Sequence, residues 1–223
     1  MRYGGGNPIF SGLVQDAKGN LFGTTIYAAN SYNSGTVFEI TPTNQFIVLH
    51  SFRFSGGVAP GTGLTLANDG NLYGVAINDD FDAGGNYSII YEVTPAGEFT
   101  TLSTSYNRPN GPILQGTDGS FYGTTPFVDD GEGYGTVFKL SHGLSPLVKT
   151  VPVAGKVGQS VIIIGNNLTG STSVTFNGVA ANFTVESDTY IKAAVPPGAT
   201  TGMVSVVTPS GVLKSNPQFV VTR

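Results

Sequence analysis

Apolar and polar positions alternate over short runs along this chain. In Thr36–Ile40, TVFEI, the alternation sets Val37 and Glu39 on one face of an extended segment and Phe38 and Ile40 on the other. Asn20–Thr25 and Phe46–Phe52 read the same way, and Gly, Pro, Asn and Asp lie between such runs. Short alternating segments bounded by these residues predict strands joined by turns, and therefore an all-β protein.

The pattern repeats. Aligned on Gly23, Gly74 and Gly123, three segments coincide: GLVQDAKGNLFGTT (Gly12–Thr25), GLTLANDGNLYGVA (Gly63–Ala76) and PILQGTDGSFYGTT (Pro112–Thr125). Downstream of them GTVFEITP (Gly35–Pro42), SIIYEVTP (Ser88–Pro95) and GTVFKLSH (Gly135–His142) coincide as well. Each unit reads as four strands, in the first copy near Ile9–Gln15, Asn20–Thr25, Thr36–Ile40 and Phe46–Phe52. Lys18-Gly19, Asp69-Gly70 and Asp118-Gly119 supply the first turn, and Pro42 with Asn44, or Pro95 with Gly97, the last. Glycine in the middle of a strand weakens it. Its recurrence at 23, 74 and 123 predicts that a neighbouring sheet or the hub backbone approaches too closely for a side chain, with Phe22, Tyr73 and Tyr122 filling the space beside it. Four strands at a period of about 50 residues are the mark of propeller blades, which bury their faces by stacking.

Composition agrees. Glycine, at 32 of 223 residues, and 13 prolines supply the turns, while the 39% apolar residues suffice for a core. Residues 1–142 hold 12 acids and 5 bases, and residues 143–223 hold 2 acids and 5 bases, with no basic run in either part. Nucleic acid is therefore not an expected partner. The absence of cysteine excludes disulfides and thiolate sites. No run approaches the roughly 20 apolar residues of a membrane helix, and the first residues show no signal peptide. Arg2–Pro8 reads instead as the tail of a preceding repeat, comparable with Phe52–Pro60.

The pairing of GLxxxxxGNLYGTT with GTVFxI resembles the GloVer repeat, a family of bacterial tandem repeats, over residues 8–142. The resemblance implies propeller-like blades and a place on the cell surface or outside the cell. The second copy departs from it at Val75-Ala76 and Ser88–Tyr91, and the third at Pro112-Ile113 and in lacking a last strand. The units span about 8–52, 60–105 and 111–142. Propellers close with 4–8 blades. Three blades predict either a piece of a longer array or open ends completed by other copies, in a ring or a filament.

Residues 143–223 carry a different pattern, with seven candidate strands. The clearest are Ser160–Gly165, Ser173–Phe176, Ala181–Ser187, Tyr190–Val195, Gly202–Thr208 and Phe219–Thr222. Turns every 8–12 residues predict an immunoglobulin-like β-sandwich. Gly155, Gly158, Val161, Ile163, Gly165, Asn167 and Leu168, then Val174–Ala181 and Val195–Val206, are similar to an IPT/TIG domain. That resemblance implies a spacer or interaction module. DNA binding, known in some of its relatives, finds no support in five scattered basic residues.

Chemistry is sparse. His50 and His142 are too far apart to form a motif and are read as structural or solvent-facing. Asp79, Asp80 and Asp82, with Asp129, Asp130 and Glu132, lie in equivalent loops of the second and third repeats. Oxygen ligands on Gly-rich loops suit Ca²⁺, although the spacing fits no EF-hand, and a plain solvated acidic loop is the simpler reading. Tyr27, Tyr32, Phe81, Tyr87, Phe127 and Tyr134 accompany those loops, either to stack on sugars or partners or to plug gaps between blades. No catalytic set stands out. The expectation is an extracellular, non-enzymatic structural or adhesive protein that associates with itself. Polysaccharide binding is the alternative, and a hydrolase or lyase the weakest one.

Overall fold

The computed structural model describes residues 12–26, 33–53, 58–78, 87–105, 109, 111–126 and 134–223. Among them there are strands and no helix, and the chain divides into two compact units.

The first unit takes in residues 1–115 and 121–140. Its first sheet is a meander of β1 (Val14–Gln15), β2 (Leu21–Thr25), β3 (Asn33–Ile40) and β4 (Phe46–Arg53). The second sheet holds β5 (Val58–Pro60), β6 (Thr65–Leu66), β7 (Leu72–Asn78), β8 (Ser88–Val93) and β9 (Phe99–Ser105). Both β5 and β6 pair with β7, so this sheet has five strands where the repeat pattern predicts four. A third sheet follows, with the order β10 (Leu114–Gln115), β11 (Phe121–Thr125), β12 (Thr136–Leu140). None of the three sheets closes on itself.

The predicted turns are present. Gly19, Gly70 and Gly119 take φ of 89°, 87° and 83°, where a side chain would be strained. The preceding aspartates stiffen these turns: the N–H groups of Lys18 and Asn20 both donate to Asp16 Oδ1 at 2.9 Å, and those of Asn71 and Ser120 donate to Asp69 and Asp118. In the last turn of the first two repeats the hydroxyls of Thr41 and Thr94 each accept a backbone N–H, from Gln45 and Glu98, at 3.1 Å. Asn44 and Gly97 are left-handed there.

The mid-strand glycines answer to a different neighbour than the sequence predicts. Gly23, Gly74 and Gly123 pair directly with Phe38, Tyr91 and Phe138 on the next strand of their own sheet. A Cβ at Gly23 would lie 2.7 Å from Phe38 Cζ, at Gly74 2.5 Å from Tyr91 Cζ, and at Gly123 2.5 Å from Phe138 Cζ. The close approach comes from the same repeat's own side chains, a cross-strand ring lying over each glycine and, at Gly23, Leu13 as well, not from an adjacent sheet or a hub. Each pair sets an aromatic ring opposite a glycine of the same sheet.

The second unit holds residues 116–120 and 141–223. One sheet has the order β13-β15-β19-β18, from β13 (Lys149–Val151), β15 (Ser160–Ile164), β19 (Tyr190–Ala194) and β18 (Phe183–Ser187); β14 (Ala154–Lys156) pairs in parallel with β22 (Val220–Thr222). The other sheet has the order β17-β16-β20-β21, from β17 (Val179–Ala180), β16 (Ser173–Phe176), β20 (Val204–Thr208) and β21 (Gly211–Lys214). Val161, Ile163 and Ile191 of the first sheet join Val174, Phe176, Val204 and Val206 of the second in one core, as alternation requires. Phe176 meets Phe219 edge to face at 5.1 Å. Ten strands replace the seven expected, because β13, β14, β17 and β21 are two to four residues long and too short to show a period.

Candidate functional site: the end faces of the sheet stack

Within the first unit the two faces of each sheet have distinct roles. In the first sheet Phe22, Val37, His50 and Phe52 point one way and Leu13, Gly23 and Phe38 the other, as pairing register and alternation dictate. The face with Val37 meets the second sheet. Phe52 packs on Tyr91 at 5.4 Å and on Phe99 at 5.6 Å, and His50 stacks on Phe99 at 4.0 Å. Phe22, Val37, Phe52, Leu64, Leu72, Ala76, Ile89, Tyr91 and Val93 form one buried cluster, which draws on both sheets. Thr24 donates its hydroxyl to the Thr62 carbonyl across the same junction.

The junction between the second and third sheets follows the same scheme. Tyr73 meets Phe121 at 4.3 Å, the Thr65 hydroxyl donates to the Ile113 carbonyl, and Asn68 and Gln115 exchange two hydrogen bonds of 3.0 and 2.8 Å.

Repeat-equivalent residues therefore report what covers each face. Leu13, Leu64 and Ile113 are equivalent; Leu64 and Ile113 are 6% and 2% exposed, while Leu13, on which no sheet of the described residues packs, is 52% exposed. Val37, Ile90 and Val137 are equivalent on the opposite face; the first two are 0% and 4% exposed, while Val137, in the last described sheet of the first unit, is 76% exposed. Val48 adds to the open face of the first sheet. On the third sheet Thr124 and Lys139 are exposed beside Val137, and the Lys139 ammonium sits over the Tyr122 ring. Among the described residues the stack thus carries two exposed faces of opposite type. The sequence does not single out the exposed residues, because a repeat motif marks Leu13, Leu64 and Ile113 identically whether or not a neighbour is present.

The sequence-predicted site residues fare unevenly. Asp79, Asp80, Asp82, Asp129, Asp130 and Glu132, and likewise Tyr27, Tyr32, Phe81 and Phe127, lie outside the described residues. Tyr134 is 73% exposed, whereas Tyr87 is half-buried against the repeat core. His50 is a packing residue whose burial pulls its pKa below the ordinary histidine value, and His142 is exposed. Among the described residues no three His, Asp or Glu side chains gather to hold a metal, and no helix is long and apolar enough to cross a membrane. A shallow hollow of about 310 Å³ on the second unit, lined by Asn167, Thr169, Asp188, Pro209 and Ser210, contributes a single carboxylate.

Stacked sheets of one repeated design, followed by an immunoglobulin-like sandwich, define an all-β tandem-repeat protein with a separate Ig-like unit. The chain belongs to the Gloeobacter/Verrucomicrobia repeat family, whose model matches residues 8–182. The IPT/TIG domain model matches residues 144–221. No curated protein matches the chain. Among solved structures, SGBP-B from a complex xyloglucan utilization locus in Bacteroides uniformis shares 15% identity over 70% of this chain and 47% of its own, with a TM-score of 0.29. Gamma-CGTASE from Alkalophilic bacillus clarkii shares 14% identity over 90% of this chain and 26% of its own, with a TM-score of 0.33. The chain thus spans less than half the length of either, and at these scores neither fixes an activity or a ligand for it.

Proposed function

We propose that this protein is a non-enzymatic, extracellular structural module of propeller-type blades that assembles by adding sheets to the ends of its stack, with the Ig-like unit as spacer. The observation that carries this reading is the contrast among equivalent residues: Leu13 and Val137 are open where Leu64, Ile113, Val37 and Ile90 are covered by a neighbouring sheet. An apolar face designed to be covered gains roughly 25 cal/mol for each Å² taken from water. The two open faces are the two halves of a junction that the molecule already makes twice. Light scattering after size exclusion tests the proposal, run with calcium and with chelator because the acidic loops are candidate Ca²⁺ ligands. Species larger than one chain, reduced to single chains by Val137→Asp, are expected. Single chains at every concentration overturn it.

Polysaccharide binding is the second reading, favoured by the exposed ring of Tyr134, two residues before β12. A glycan screen in which Tyr134→Ala abolishes a hit supports it; a screen without hits removes it.

A further inference from the structure

The hollow on the second unit lies at one end of its sandwich, where the segments that follow β15, β18 and β20 converge. Asn167 and Thr169 come from the first segment, Asp188 from the second, and Pro209 and Ser210 from the third. Main-chain bonds hold the segments together. The Leu168 N–H donates to the Asp188 carbonyl at 2.8 Å, the Gly165 N–H to that of Thr189 at 3.2 Å, and the Thr172 N–H to that of Val207 at 2.9 Å. Gly170 lets Pro209 come close, since a Cβ there would lie 3.0 Å from the proline Cγ. Backbone, rather than chance side-chain placement, sets the walls.

The polar groups of the hollow can be sorted by what they still offer. Thr208 is buried; its hydroxyl gives its one hydrogen to the Gly211 carbonyl at 2.9 Å and accepts the Ser210 N–H at 3.2 Å. In the 3.1 Å contact between the two hydroxyls Ser210 is therefore the donor, which leaves Ser210 Oγ as an acceptor toward the hollow. Asp188 Oδ1 accepts the Thr169 N–H at 3.4 Å, and Oδ2 has no partner among the described residues. The Asn167 amide and the Thr169 hydroxyl have none either, and both can donate and accept.

This mixture discriminates between ligands. A hard cation seeks about six to eight oxygens and has no use for the Asn167 NH₂. An anion meets the Asp188 carboxylate, and an apolar ligand leaves all four polar groups unanswered. Neighbouring hydroxyls on a ring, each a donor and an acceptor, answer every one of them, while the C–H face of the ring fits against Pro209. We propose that the hollow is a subsite for one residue of a neutral polysaccharide. Its volume of about 310 Å³ stands at the small end of ligand pockets, room for one ring with the rest of the chain in solvent. The proposal rests on the polysaccharide reading above and gives that reading a site on the Ig-like unit, apart from Tyr134. A ligand of one sugar ring in an open site binds with a dissociation constant on the order of 1 mM or weaker.

Saturation-transfer NMR of the full chain reads such affinities, with cellohexaose, maltohexaose and mannohexaose as probes. At least one probe should bind. Asn167→Gly removes the amide and tolerates the φ of 56° found there; Asp188→Asn turns an acceptor into a donor at equal size. Each should weaken the bound probe by about three- to tenfold, the loss of one hydrogen bond, with the urea midpoint of the Ig-like unit unchanged, while Tyr134→Ala leaves binding intact. Wild-type affinity in both variants overturns the proposal. So does competition by calcium chloride, or by glucosamine where glucose has no effect, because the hollow would then take a cation. Loss of binding in Tyr134→Ala alone overturns this site and keeps the polysaccharide reading, whereas absence of binding by every probe removes both.

Discussion

Tyr91 is the residue where the repeat departs from its own design in a way that thermodynamics can weigh. Its ring covers Gly74 just as Phe38 covers Gly23 and Phe138 covers Gly123, yet it alone carries a hydroxyl. The side chain is fully buried, and the hydroxyl has no hydrogen-bond partner among the described residues. A buried donor without a partner forfeits its hydration, at a cost of about 1–3 kcal/mol. Tyr91→Phe removes that penalty and keeps the ring, its contact with Phe52 and its stacking on Phe99. Against it stands the void left by one oxygen, worth a few tenths of a kcal/mol at about 24 cal/mol per Å³. The net expectation is stabilisation of the repeat unit by about 1–2 kcal/mol. Urea unfolding measures it as a rise in midpoint at unchanged slope, read on the transition assigned to the repeats so that the Ig-like unit does not blur it. Burial also raises the Tyr91 pKa above the ordinary tyrosine value. The folded state then holds a proton that the unfolded state releases, so the wild-type chain loses stability as pH climbs above about 10. Tyr73 adds to that alkaline loss, since burial and the hydrogen bond to Asp69 raise its pKa too. Tyr91→Phe therefore shallows the alkaline loss without abolishing it. Destabilisation by more than about 0.5 kcal/mol would refute the reasoning and place a buried water on the hydroxyl.

Three other outcomes follow from the same packing. Gly74→Ala drives a methyl into the Tyr91 ring and lowers stability by about 1–3 kcal/mol in thermal or urea unfolding; a neutral result would show that the ring is not held over the glycine. Burial lowers the His50 pKa, so the folded state resists protonation and the repeat unit loses stability as pH falls from about 6.5 through the lowered value; His50→Phe should flatten that limb of the pH–stability curve, and an unchanged limb would remove His50 as its cause. The Thr25 and Thr36 hydroxyls bond each other at 3.0 Å and Thr25 Oγ1 accepts the Thr36 N–H, while the equivalent pair in the second repeat is Ala76 and Ile89. Thr25→Ala alone should cost about 1–2 kcal/mol and the double change Thr25→Ala with Thr36→Ile clearly less, giving a coupling of about 0.5–1.5 kcal/mol in a double-mutant cycle.

The fold was legible where local chemistry decides it. Asp-Gly and Lys-Gly dipeptides mark turns whose φ the backbone then adopts, and alternation in TVFEI assigns Val37 and Phe38 to opposite faces. What was not legible depends on neighbours. The reason for the mid-strand glycines lies in the register that sets Phe38 opposite Gly23, and register is a relation between strands. With the hairpin turn as an anchor that pairing could have been counted out; without it, the glycine pointed wrongly to an adjacent sheet. The extra strand β5 and the two-residue β17 escape because they are too short to show a repeated alternation. Open faces escape for another reason: Leu13 and Leu64 occupy the same motif position, and only the stack distinguishes them.

The opposite character of the two end faces constrains assembly more tightly than their exposure does. A two-fold dimer would press one face against its own copy, whereas the internal junctions always join the face of Val37 and Ile90 to the face of Leu64 and Ile113. The external junction should therefore be head to tail, and head-to-tail contacts propagate into a filament unless the rotation closes a ring. Charge placed at either end tests this. Leu13→Asp spoils one face and Val137→Asp the other, and each variant alone should remain a single chain by light scattering. Mixed in equal amounts, the two still possess one intact face each, which complement one another. The mixture should form dimers that contain one chain of each kind, with no larger species, because both remaining ends are blocked. If Val137→Asp chains pair among themselves, or if the mixture stays as single chains while the wild type assembles, the junction is not a copy of the internal one and the end faces are not its cause.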